Sequence, residues 1–184
     1  GHGRHGLNGQ ANPSGVDDYN HRMFALRYAY VLALVIWLGS IVALGAVVAP
    51  TTFGVLQALR PDVGRELAGA VFGTILDRFQ WVQYTTGSVM LLSLALMRLL
   101  GPRPVHTGLR AGIVAVMLGL ALYSGFVVLR QVAAVQAEVG GLPSALPAND
   151  ARRIRFDGLH VLSTRLMELT LGGALILLYW EARE

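Results

Sequence analysis

Residues 28–50 read YAYVLALVIWLGSIVALGAVVAP, and no charged side chain occurs between Tyr28 and Leu59. A bilayer core of about 30 Å is crossed by about 20 apolar residues in a helix. The stretch is long enough to span, and too long for the apolar core of a signal peptide. Tyr28 and Tyr30 suit the membrane–water boundary at its start. Pro50 is expected to end it, because proline interrupts helical hydrogen bonding.

Outward from that stretch, the pattern recurs. Phe79–Met97 is bounded by Arg78 and Arg98, Ala111–Leu129 by Arg110 and Arg130, and a fourth apolar run covers Leu159–Trp180. The expected fold is therefore an all-α integral membrane protein, a four-transmembrane-helix antiparallel bundle with spans at about 28–50, 79–97, 111–129 and 159–180. Within PDVGRELAGAVFGTILD, residues 61–77, Val63, Leu67, Ala70, Val71 and Ile75 recur at helical steps that continue to Phe79. That segment is expected to run into helix two without a break. Helix three continues its own pattern through Val132, Val135 and Val139. Helices two and three thus carry extramembrane extensions, expected to leave the same face and pack together. Residues 1–22 read as a polar irregular tail and 23–184 as the membrane domain. Gly101, Pro102 and Pro104 make a tight hairpin turn, GGLPSALPAND (140–150) a loop, and ARRIRFD (151–157) a basic lead-in to helix four.

The 184 residues are 54% hydrophobic and only 14% charged, against about 25% charged in a soluble domain. Cysteine is absent, which excludes disulfides, thiolate metal sites and cysteine nucleophiles. All 15 basic residues are arginine, and most sit near helix ends. That suits lipid headgroups better than nucleic acid. The short 98–110 turn carries Arg98, Arg103 and Arg110, which points the termini to the cytoplasm. No phosphate loop, nucleophile elbow, His-Glu-x-x-His or dinucleotide fingerprint occurs, and the chain is expected not to be an enzyme.

Charges inside a span are costly and usually find partners. Arg165 and Glu168, three residues apart in helix four, are expected to form a structural ion pair. His160 lies two turns before Glu168 on the same helical face. His160 and Glu168 are the candidate metal ligands, although one imidazole and one carboxylate do not complete a coordination shell. Met90, Met97, Met117 and Met167 read as core filling, with copper(I) ligation as the other reading. His2, His5 and His21 are spaced through the tail. Small-xxx-small spacings such as Gly39/Ala43 and Ala115/Gly119 suit close helix packing in lipid.

Ala49, Pro50, Phe53, Gly69, Phe72, Leu159, His160 and Ser163 fall in short motifs along most of the chain from Phe24 onward. On these the sequence resembles the four-helix membrane family of unknown function typified by transmembrane protein 205, including its bacterial members. Where that pattern often has an asparagine one turn after the serine, this chain has Met167 and then Glu168. More distantly, the layout is similar to CopD-type copper-resistance proteins. The function expected is an accessory or scaffolding subunit of a larger complex in the bacterial inner membrane, in contact with lipid and other membrane subunits, without a cofactor. The alternatives are a copper- or heme-handling membrane protein and a small-solute permease.

Overall fold

The computed structural model describes residues 13–101 and 106–183, with side chains from His21 onward. Among them the chain is all-helical. Helix α1 spans Pro13–Ala43 and passes through a π-helical turn, Leu44–Val48, directly into α2, Ala49–Leu59. Helix α3 spans Gly64–Leu100, and α4, Thr107–Tyr123, passes through a second π-turn, Ser124–Val128, into α5, Leu129–Val139. Helix α6 spans Ala151–Glu181.

Three continuous helices are long and apolar enough to cross a membrane: His21–Leu59, Thr107–Val139 and Ala151–Glu181. At 1.5 Å per residue the first reaches about 58 Å, nearly twice a bilayer core. Helix α3 is continuous, as its periodicity predicts, but Gln80, Gln83, Thr85, Thr86, Ser88 and Ser93 dilute its apolar character. Its extension packs on α2 while α5 packs on α6, so the two extensions are not packed on each other as expected.

Several boundaries differ from the sequence reading. Pro50 does not end helix one. The Ala49 amide donates to the Leu44 carbonyl five residues back. This widened turn comes just before Pro50, where the ring would otherwise press on the preceding turn. The basic lead-in 151–157 is the first two turns of α6, and α1 begins at Pro13, within the stretch expected to be irregular. Residues 1–12, with His2 and His5, and Pro102–Val105 of the hairpin turn lie outside the described residues.

The start of α6 is set by Asp150, whose carboxylate accepts from the Arg152 amide at 2.9 Å and from its guanidinium at 2.8 Å. The Arg152 side-chain hydrogen bond is the main cause that lowers the Asp150 carboxyl to about 2. A lowered folded value means the cap is at full strength above the ordinary carboxylate range, near 3.8, and is lost as pH falls through about 2. Asp150→Ala is expected to speed amide exchange several-fold over residues 151–155 at neutral pH, leaving the centre of α6 unchanged. Exchange measured by mass spectrometry checks this; equal protection in both proteins would remove the capping role.

The chain also repeats itself. The two π-turns are offset by 80 residues, and the same offset matches the buried positions. Tyr30, Leu34, Trp37 and Ile41 in α1 correspond to Arg110, Val114, Met117 and Ala121 in α4. Phe79, Thr86, Met90, Leu94 and Met97 in α3 correspond to Leu159, Leu166, Thr170, Ala174 and Leu177 in α6. Each unit is a long helix with a π-turn, followed by a straight helix packed against it. The units meet through α3 on α4 and, less extensively, α6 on α1, so the same two kinds of element meet at both contacts.

Candidate functional site

The positions singled out in the sequence lie on the outside of α6. His160, Arg165 and Glu168 are all exposed. Arg165 and Glu168 form no ion pair with each other or with any other described residue. The expected structural pair is therefore not made, and both side chains face away from the bundle. His160 and Glu168 also do not converge. Eight residues along one helix separate them by about 12 Å, whereas metal ligands lie about 2 Å from a shared ion. Among the described residues no group of three His, Asp or Glu side chains could hold a metal.

The buried charges that pair across helices lie at the end of the bundle that holds Glu181. Arg110, 2% exposed, is ion-paired with Glu181, 7% exposed, and Glu181 also binds Arg27 at 3.1 Å. One carboxylate thus ties α1, α4 and α6 together, across 71 and 154 residues of sequence. His106, at the start of α4, lies 6.2 Å from Trp180 between ring centres.

A small, largely apolar pocket with a few polar side chains lies beneath the second π-turn, between α3, α4 and α6. Gln80, Gln83, Ser124, Ser163 and Thr170 contribute to its wall, and its volume is about 30 Å³. At roughly 10–15 Å³ per water centre it has room for about two waters. Gln80 Oε1 is buried without a hydrogen-bond partner among the described residues, so water there would satisfy it. The Thr86 and Thr170 hydroxyls are already satisfied by the Val82 and Met167 carbonyls at 2.6 and 2.9 Å. The pocket has room to hydrate the Gln80 carbonyl, and its size is too small for solute passage in this conformation.

Gln80 and Gln83 are both buried in α3. The signal for their burial was available: they fall on the same helical stripe as Met90, Leu94 and Met97. The Arg110–Glu181 pair had no local signal.

A model of a domain of unknown function, DUF4149, matches residues 32–140. The match runs from within α1 to just past α5 and takes in both π-turns. No curated protein and no solved structure matches the chain.

Proposed function

Because the chain belongs to the DUF4149 family, whose function is unknown, we propose a role from its own geometry: an accessory or scaffolding subunit of a larger assembly in the bacterial inner membrane, docked through the outer face of α6. The unpaired, outward-facing Arg165 and Glu168 carry this reading.

In this reading α3 is a fourth span and the bundle is antiparallel. Arg78 and Arg98 on α3, and Arg110 and Arg130 along α4 and α5, are each 20 residues apart, about 30 Å of helix and one bilayer core. The resemblance to the family typified by transmembrane protein 205, on Pro50, Phe53, His160 and Ser163, supports four spans. Glu168 then lies 13 residues from the bundle end at Glu181, about 20 Å into the core. A charge at such depth costs about 2.5–3.5 kcal/mol on insertion scales unless protein covers it. A neighbouring subunit offering opposite charges or hydrogen bonds removes that cost. Outward-facing Gly39, Ala43, Ala115 and Gly119 give further helices close access. The arginine-dense segment 98–110 supports a cytoplasmic side for both termini. Neither metal handling nor solute permeation has an observation of comparable weight behind it.

The test is intact-complex mass spectrometry of protein purified from its own membranes in mild detergent. Wild type is expected to retain other membrane subunits in fixed ratio. Arg165→Leu/Glu168→Leu is expected to release them while its own melting temperature holds or rises. A wild type that emerges alone overturns the reading.

A further inference from the structure

A crevice of about 550 Å³ opens on one side of the molecule, between α3 and the second π-turn with α5. Its floor is aromatic. The Tyr84 ring lies parallel to Phe126 at 5.7 Å, with Trp81 edge-on to Tyr84 at 5.9 Å. The Arg130 guanidinium lies 5.2 Å from the Phe126 ring centre, a cation–π distance. Arg78 and Asp77 line the same crevice. Neither Arg78 nor Arg130 forms an ion pair with any described residue. Gly125, in the π-turn, is needed to seat the tyrosine, since a Cβ there would collide with the Tyr84 hydroxyl.

The internal repeat separates what the fold needs from what this crevice adds. At the equivalent positions, 80 residues away, Gly45 and Asp157 match Gly125 and Asp77. The rest differ: Arg78 faces Gly158 in the comparison, Trp81 faces Val161, Tyr84 faces Thr164, Phe126 faces Ala46 and Arg130 faces Pro50. The other half of the same architecture thus stands without either arginine or any of these rings. Their presence on one side alone is not a requirement of helix packing.

The chemistry points to an anion carried on an apolar body. Two unpaired guanidinium groups suit a phosphate. Exposed Val89 and Leu92 continue the Trp81 face of α3, and exposed Tyr123 and Val116 continue the Phe126 face of α4. These faces run from the crevice along the helices, where an acyl chain would lie. We propose that the crevice binds the phosphate headgroup of an anionic phospholipid, held by Arg78 and Arg130 over the Trp81–Tyr84–Phe126 shelf. This holds whether or not the α6 face has a protein partner.

The protein, reconstituted in nanodiscs of phosphatidylglycerol and phosphatidylcholine, is released into native mass spectrometry. One retained phosphatidylglycerol per chain is expected, in preference to phosphatidylcholine. Arg78→Gln/Arg130→Gln is expected to weaken that retention about thirtyfold, at about 1 kcal/mol per arginine. The control Arg65→Gln/Arg155→Gln removes the same charge from exposed positions outside the crevice and is expected to retain the lipid. Inorganic phosphate at millimolar concentration is expected not to displace it. Equal loss in both double variants, no loss in the crevice variant, or displacement by phosphate alone overturns the lipid site.

Discussion

Replacing Glu181 by alanine is expected to destabilise the protein by about 3–5 kcal/mol, the usual cost of removing one member of a buried ion pair. Glu181 is the carboxylate paired with the buried Arg110 guanidinium, and it also receives Arg27 from α1. Its loss leaves Arg110 charged within the helix ends without that counter-charge, and unties α1 and α4 from α6 together. The pair as a whole need not favour folding over an apolar alternative, because desolvating two charges offsets most of their attraction. Arg110→Met/Glu181→Leu is therefore expected to recover most of the loss. Unfolding in detergent measures both variants. A Glu181→Ala protein within about 0.5 kcal/mol of wild type would show that the cluster is not a structural tie.

Trp37 gives the second large effect, with two substitutions that part company. Its side chain is fully buried in the main core and closes on Gly87 of α3, where a Cβ would stand 2.9 Å from the indole and from Leu118 of α4. Trp37→Ala is expected to cost about 3–5 kcal/mol, since the three helices cannot close fully over the void. Lipid does not weaken that expectation, because helix association in a bilayer rests on van der Waals packing. Trp37 Nε1 is buried without a hydrogen-bond partner among the described residues, a state that costs about 1–3 kcal/mol. Trp37→Phe removes that donor and keeps a ring, so it is expected to cost less than about 1 kcal/mol. The same unfolding measurement compares the two. A phenylalanine variant as damaged as the alanine variant would mean that the indole N–H is satisfied in the folded protein.

The site was legible only in part. Arg165 and Glu168 could be picked out because charge in a long apolar run is conspicuous, but which way α6 turns them is a property of its neighbours. Gln80 and Gln83 are visible as polar side chains on one stripe of α3, but which helices cover that stripe is set by the packing. The 80-residue repeat escaped the sequence because most matched positions share only burial. Trp37 corresponds to Met117, and Tyr30 to Arg110.

Length and hydropathy alone determined that this chain is helical and suited to lipid, because a backbone without water must satisfy its own hydrogen bonds and three of its helices are long and apolar enough to cross. The same periodicity carried α3 unbroken from its extension into the apolar segment. The tertiary structure decided the rest. Helix one continues through Pro50 because a π-turn widens the backbone ahead of the ring. Arg110 finds Glu181, 71 residues away, and Arg165 and Glu168 face outward. Partnership between charges depends on which helix faces which, and in a run of near-equivalent apolar residues only packing against specific neighbours fixes that rotation.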